Sequence, residues 1–369
     1  MFVAGPMTWA PLLTEITGCA ELDAVPATLA DHALSAAEFN CFPALVAEKG
    51  TRTEGLLLRS APQSAADRLA FFAEGQGLEA RPVTLADGSA GLAFVASETE
   101  ASQTDDMPWP AASWEARWGA LALDACAEAM CYFGRIDAAG LAWRMPMILS
   151  RAGSRQLAAA GAPATLRSAT PASEVTCLAR HTPHEGYFLT REYTLRYPGF
   201  DGSMSPPLRR EVFVAADAAL VLPYDPRTDR LLLVEQFRMG LYARGDPRPW
   251  MLEPVAGRID AGETPEAAAR RECEEEAGLA LDRLELIAGH YCSPGCSTEY
   301  FYLYLGLCDL PEEGEGRGGL ECENEDIRTH VISFERAMEL LNSGEAENGP
   351  LVLSLVWLSR ERERLRGSA

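Results

Sequence analysis

The stretch Gly257–Leu279, GRIDAGETPEAAARRECEEEAGL, constrains this chain more than any other. Glu272, Glu275 and Glu276 stand at i, i+3 and i+4, which sets their carboxylates together on one exposed helical face. Like charges that close repel, and a hard divalent cation relieves the repulsion best. The helix boundaries are written into the flanks. Thr264 suits the N-cap, Pro265 the first turn and Gly278 the C-terminal stop. A glycine-bearing turn precedes the helix and leaves backbone close to the acidic face.

The same segment resembles the Nudix signature, G-x5-E-x7-R-E-U-x-E-E-x-G-U, where U is a large apolar residue. Gly257, Glu263, Arg271, Glu272, Glu275, Glu276, Gly278 and Leu279 fall in register. Cys273 stands where Leu, Ile or Val is usual and serves as a small buried hydrophobe. Glu263 and Arg271 read as a structural ion pair that braces the turn against the helix. The resemblance implies a C-terminal α/β/α sandwich with a mixed sheet and a Mg2+ site of two or three ions, with Mn2+ as an alternative metal. It makes Glu272, Glu276 and the backbone carbonyl of Ala256 metal ligands and places Glu275 in the catalytic set.

At 369 residues the chain is too long for one such module, and its length fits two or three domains. There are 54 acidic residues against 32 basic ones, a net charge of -22. That surface repels nucleic acid and anionic membrane, so neither is an expected partner. An anionic substrate would be repelled too, unless arginines and a metal reverse the potential locally. The 10 cysteines fall without C-x2-C pairs and read as reduced, mostly buried thiols of a cytoplasmic protein. MFVAGPMTWAPLL has no basic n-region and reads as a strand and turn, and no apolar run is long enough for a membrane span.

An α+β multidomain organisation is expected. Residues 1–100 alternate short apolar runs with turns (MFVAG, EGLLLRS, GLAFVAS) around a helix near Ala65–Ala73, a small β-rich domain. Residues 101–112 form a polar, proline-bearing break within a helical connector, 101–172. In it Trp114, Trp118 and Tyr132 fall at helical spacing and read as core. Residues 173–369 run through strands, the acidic helix, two more strands, an acidic loop at 312–326 and two closing helices.

Across residues 187–360 the chain is similar to ADP-ribose pyrophosphatases. The likeness rests on RREVF, LLLVEQFR, the tripeptide Ser293-Pro294-Gly295 and ENEDIRTHV, with Pro294 lying 15 residues past Leu279 as that family's proline does. By this resemblance Glu325 completes the metal site from a distant loop, and Glu323 is the base that activates water. Arg238 pairs phosphate oxygens, Glu299 meets the terminal ribose, and Arg258, Ser293, Pro294 and Gly295 border the substrate. The family forms homodimers that exchange N-terminal strands, so Tyr187 would stack on adenine and Arg210 would reach across from the partner chain.

The first 100 residues resemble gamma-glutamylcyclotransferase-like domains in two places. Ala4-Gly5-Pro6-Met7 stands at the family's Y-G-[TS]-L turn, and Glu74-Gly75 at its Glu-Gly pair, with Glu74 at the general acid/base position. The turn departs from the pattern, and Pro6 removes an N–H that would hold a substrate carboxylate. The order of the segments resembles bacterial tellurite-resistance proteins of the TrgB kind. The expected activity is Mg2+-dependent hydrolysis of ADP-ribose to AMP and ribose 5-phosphate. The alternatives are another nucleoside diphosphate derivative such as an ADP-sugar, or a non-catalytic ADP-ribose sensor.

Overall fold

Backbone pairing in the N-terminal segment is set by short apolar strands that each need a covered face. The computed structural model describes residues 1–35, 41–96, 111–312, 314–319 and 325–367. β1 (Phe2–Ala4), β2 (Ala24–Ser35), β3 (Ala44–Leu58), β4 (Leu78–Thr84) and β5 (Ala90–Ala96) form a sheet in the order β2-β3-β1-β5-β4. β1 and β5 are parallel and the other pairs antiparallel. A bridge from Leu29 to Leu85 brings the sheet's two ends together, so it curls around Phe2, Leu29, Leu45, Leu85 and Val95.

Four helices cover its outer side: α1 (Ala10–Thr17), α2 (Gln63–Glu74), α3 (Ala111–Met130) and α4 (Ala138–Ala159). Their apolar faces share one core, in which Trp114, Trp118 and Tyr132 are buried as the helical spacing requires. α1 is a departure from the sequence reading, which took that stretch for a turn. Leu12, Leu13 and Ile16 recur at helical spacing and are buried, but the run is short and follows the Gly5-Pro6 turn. A second, three-stranded sheet follows: β6 (Thr176–Glu185), β7 (Leu189–Arg196) and β8 (Leu208–Val214).

The C-terminal sheet is mixed and, among the described residues, eight-stranded. Its path is β13 (Arg283–Tyr291), β14 (Tyr300–Leu307), β9 (Ala218–Asp225), β10 (Arg230–Phe237), β16 (Ile327–Ser333) and β15 (Gly314–Gly318). β11 (Trp250–Glu253) pairs with β10, and β12 (Val255–Arg258) with β9. β14 runs parallel to β9 and the remaining neighbours are antiparallel. The central strands β9 and β10 read as near-continuous apolar runs because both faces are covered. Leu222, Tyr224, Leu231 and Leu233 meet α7 (Phe334–Ser343) and α8 (Gly349–Gly367). α6 (Pro265–Ala277) packs against β9 and β12, with Val221 and Leu281 together over Gly306. A one-turn helix, α5 (Met239–Arg244), links β10 to β11.

Compactness divides the chain differently from the three segments read in the sequence. One unit comprises Met1–Glu211 with Asp260–Gly262, and the other Val212–Ile259 with Glu263–Ala369. The helices of the expected connector belong to the first unit's core, and the β6–β7 hairpin falls within the same unit. The thiols are also less buried than expected. Among the described residues Cys41, Cys126, Cys273 and Cys308 are buried, whereas Cys131, Cys177, Cys292 and Cys296 are exposed. No helix among those residues is long and apolar enough to cross a membrane.

Candidate active site

α6 is stopped and started as its sequence demands. The Thr264 hydroxyl accepts from the Ala267 N–H at 3.2 Å, Pro265 opens the helix, and Gly278 closes it in the left-handed region at φ 64. Glu272, Glu275 and Glu276 therefore share a face, but that face is not exposed as expected. It lies against β12, and Glu276 is only 2% exposed. The Ala256 N–H donates to Glu276 Oε2 at 3.2 Å, which sets the Ala256 peptide beside the carboxylate. At Gly257 a Cβ would fall 1.8 Å from the Glu272 carboxyl carbon, so any larger residue would push that carboxylate aside.

Arg271 ties this cluster to the turn. Its guanidinium makes a two-pronged pair with Glu263 at 3.0 and 2.9 Å, as the sequence implied, and donates to the Arg258 carbonyl at 3.0 Å. It also reaches Glu272 at 2.6 Å and Glu275 at 3.0 Å. Burial works against the Arg271 charge, but Glu263 and Glu272 outweigh it and hold the group protonated.

The electrostatics show a surplus of buried negative charge. Burial pushes the Glu272 carboxyl up to about 7, against the pull of Arg271 and with Glu275 and Glu325 adding to the rise. Burial likewise pushes Glu276 up to about 8; the Ala256 N–H opposes this, and Glu272 and Glu325 reinforce it. Among the described residues no three His, Cys, Asp or Glu side chains are already drawn together as a formed metal site. Glu272 and Glu275 rest on Arg271 instead. The donor set fits a hard divalent cation nonetheless: oxygen ligands, low exposure and a repulsion that a cation would relieve.

Glu325 reaches the cluster through a strand that the sequence does not announce. The reading of 312–326 as an acidic loop needs correction, because Gly314–Gly318 is β15, paired along β16. GEGRG lacks the apolar alternation that marks a strand. Its glycines have a steric cause: a Cβ on Gly318 would lie 1.6 Å from the Glu276 carbonyl oxygen. The edge strand thus passes over the end of α6 and leads the chain towards Glu325. Glu323 lies outside the described residues.

Arg238, at the start of α5, is anchored by the buried Glu253, with Nε donating to Oε2 at 2.6 Å. Glu253 also accepts from Asn348 at 2.9 Å, and no motif in the sequence singles it out. Arg238 is near enough to Glu276 to favour its charged form. Ser293-Pro294-Gly295 forms an exposed turn in which the Ser293 carbonyl accepts from Cys296 at 3.0 Å and Ser297 at 2.9 Å. The turn is tied to the end of β8 by Phe213 and Cys296 at 2.8 Å. Glu299 accepts from the Cys292 thiol at 3.1 Å, and burial followed by this carboxylate pushes the thiol up to about 11. Arg328 and His330 of the ENEDIRTHV stretch pair with Glu235 across β16 and β10, at 3.6 and 2.9 Å, which accounts for them structurally.

Three expected residues lie in the first unit. Tyr187 is exposed at the β6–β7 hairpin, edge-on to Phe188 and beside Trp143. Arg210 is exposed on β8 and donates to the Arg209 carbonyl at 2.8 Å. Glu74 is the exposed last residue of α2.

A buried acidic helix face against a glycine turn, set beside a mixed sheet with helices on both faces, defines a class of protein. The NUDIX domain family model matches residues 214–355. An ADP-ribose pyrophosphatase of Escherichia coli (strain K12) is 39% identical over 194 residues, covering 53% of this chain and 92% of that one. One from Haemophilus influenzae is 35% identical over 197 residues, covering 53% of this chain and 90% of its own length. A GDP-mannose pyrophosphatase of Enterobacter sp. (strain 638) is 30% identical over 174 residues, covering 47% and 89%. This chain belongs to the Nudix hydrolase family through its C-terminal half.

Proposed function

We propose that the protein hydrolyses the diphosphate bond of ADP-ribose, giving AMP and ribose 5-phosphate, with Mg2+ as its metal and Mn2+ as a substitute. The observation that carries the reading is the carboxylate set Glu272, Glu275 and Glu276 on one face of α6, at the end of which β15 leads to Glu325. The 39% identity to an ADP-ribose pyrophosphatase supports the substrate, together with the Ser293-Pro294-Gly295 turn.

Glu272, Glu276, Glu325 and the Ala256 carbonyl would hold the metal ions. Bound Mg2+ supplies positive charge to the diphosphate oxygens and Lewis acidity at the scissile phosphorus. Arg238, held straight by Glu253, pairs phosphate oxygens through its planar fork. Glu323 takes a proton from the attacking water, whose oxygen bonds to one phosphorus while the bridging oxygen leaves with the other phosphate. Glu275, steadied by Arg271, sits beside the ligands as part of the catalytic set. Arg258 borders the turn, and Glu299 meets the terminal ribose. We further propose a cytoplasmic homodimer in which Tyr187 and Arg210 serve the partner's site. The exposure of Tyr187, Phe188, Leu178 and Phe200 supports an interface there.

The kinship with GDP-mannose pyrophosphatases favours a second reading, in which another nucleoside diphosphate sugar is the substrate. A substrate panel with Mg2+, scored by AMP or GMP release, separates the two. Highest kcat/KM for ADP-ribose is the expected result; highest kcat/KM for a hexose conjugate would overturn the first reading.

A further inference from the structure

The first unit contains an arginine-lined cavity of about 220 Å3 between α3, α4 and the β6–β7 hairpin. In a chain of net charge -22 this is an unusual concentration of positive charge. Arg135, Arg155, Arg180 and Arg191 line it against Asp124, Glu128 and Glu185. Two more guanidiniums stand behind the lining. Arg151 is 3% exposed and donates to Glu128 Oε1 at 2.9 and 2.5 Å, and Arg144 donates to the Glu185 carbonyl at 3.1 Å. Four lining guanidiniums against three lining carboxylates leave an excess of one positive charge, and Arg144 and Arg151 behind them add to the positive field.

Ion pairs hold most of the arginines in place, Arg155 against Asp124 at 3.2 Å among them. Glu128 alone engages Arg151, Arg155 and Arg191, the latter two at 3.7 and 3.3 Å, and Glu185 pairs with Arg135. The buried Arg151 Nη1 has no hydrogen-bond partner. Arg180 projects from β6 with no ion pair among the described residues. A set of positioned guanidinium forks, with Arg180 left to pair with a ligand, is suited to a tetrahedral oxyanion. The cavity is smaller than the roughly 300–1,000 Å3 that drug-sized ligands occupy, which points to one phosphate on a small organic group. A phosphomonoester, whose several oxygens carry about two negative charges at neutral pH, engages more guanidinium forks at once than a single carboxylate does.

We propose that this cavity is a second binding site, separate from the Nudix carboxylates, that takes a small phosphomonoester. The proposal stands whether or not the diphosphate substrate has been read correctly. Isothermal titration of the full chain with ribose 5-phosphate and with inorganic phosphate, in EDTA, tests it. Saturable binding is expected that is retained in Glu276→Gln and weakened about tenfold or more in Arg180→Gln. Arg135→Gln, also an exposed position, should weaken it similarly, and both arginine variants should keep wild-type hydrolysis of the preferred diphosphate. Absence of saturable binding to either probe, or equal binding by wild type and both arginine variants, would overturn the proposal. Loss of binding in Glu276→Gln alone would assign the phosphate to the Nudix site and overturn it as well.

Discussion

At the scale of single residues, Glu276 is where structure and chemistry conflict most. Its carboxylate is buried beside Glu272 and Glu325, an arrangement that costs folding energy unless a cation is bound. Glu276→Gln removes a charge yet keeps an oxygen for the Ala256 N–H. Turnover should fall by orders of magnitude while the metal-free variant unfolds no earlier than wild type at pH 8. Wild-type activity at saturating Mg2+ would remove Glu276 from the metal site. A pH dependence follows from the same burial. Glu272 and Glu276 are raised to about 7 and about 8, above the ordinary carboxylate value of 4.5 that the unfolded chain shows. The native state then binds more protons between those limits, so this contribution is fully present below about 4.5 and lost as pH rises through 7 to 8. In EDTA the melting temperature should therefore decline across that window. Mg2+ competes with those protons, so its stabilisation should grow with pH over the same range. A Mg2+-induced shift that is flat from pH 5 to 8 would contradict the assignment of these carboxylates as ligands.

At the scale of elements, the contact between β15 and α6 does the least visible work. Gly318 lets the edge strand lie on the Glu276 carbonyl, and its backbone conformation is otherwise open to any residue. A methyl group there must move a strand or a helix end, because neither partner is a flexible side-chain tip. Gly318→Ala is expected to cost about 1–3 kcal/mol in denaturant unfolding, the usual range for overpacking. Metal affinity should fall with it, since Glu325 follows this strand. Unchanged stability and activity would mean that β15 does not hold this position. The caps of α6 were legible beforehand because a helix end leaves backbone donors that few side chains satisfy. β15 was not legible, since its glycines answer to a neighbour distant in sequence.

At the scale of the whole molecule, the proposed dimer divides the site between chains. Arg210 would act in trans and Arg238 in cis, so homodimers of Arg210→Ala or Arg238→Ala should each lack competent sites. In a mixed dimer both lesions fall in one site and the other is spared. Mixing the two inactive proteins under subunit exchange should restore part of the activity. A monomer in gel filtration, or no recovery despite demonstrated exchange, would require both arginines to serve one chain.

The sequence by itself determined the family and the outline of the proposed site. Gly257, Glu263, Arg271, Glu272, Glu275, Glu276 and Gly278 interact over one loop and one helix, and interactions that local leave a fixed spacing. The Glu263–Arg271 pair, the Thr264 cap and the buried Cys273 all followed from it. Tertiary structure decided the rest. It turned the expected exposed acidic face into a buried one, by laying α6 against β12, and so raised the carboxylates. It recruited Glu253 to hold Arg238 and Gly318 to admit β15, contacts between residues far apart in the chain. It also drew α3, α4 and the β6–β7 hairpin around an arginine-lined cavity. Arginines scattered from 135 to 191 carry no periodicity, and only packing reveals that they share one space.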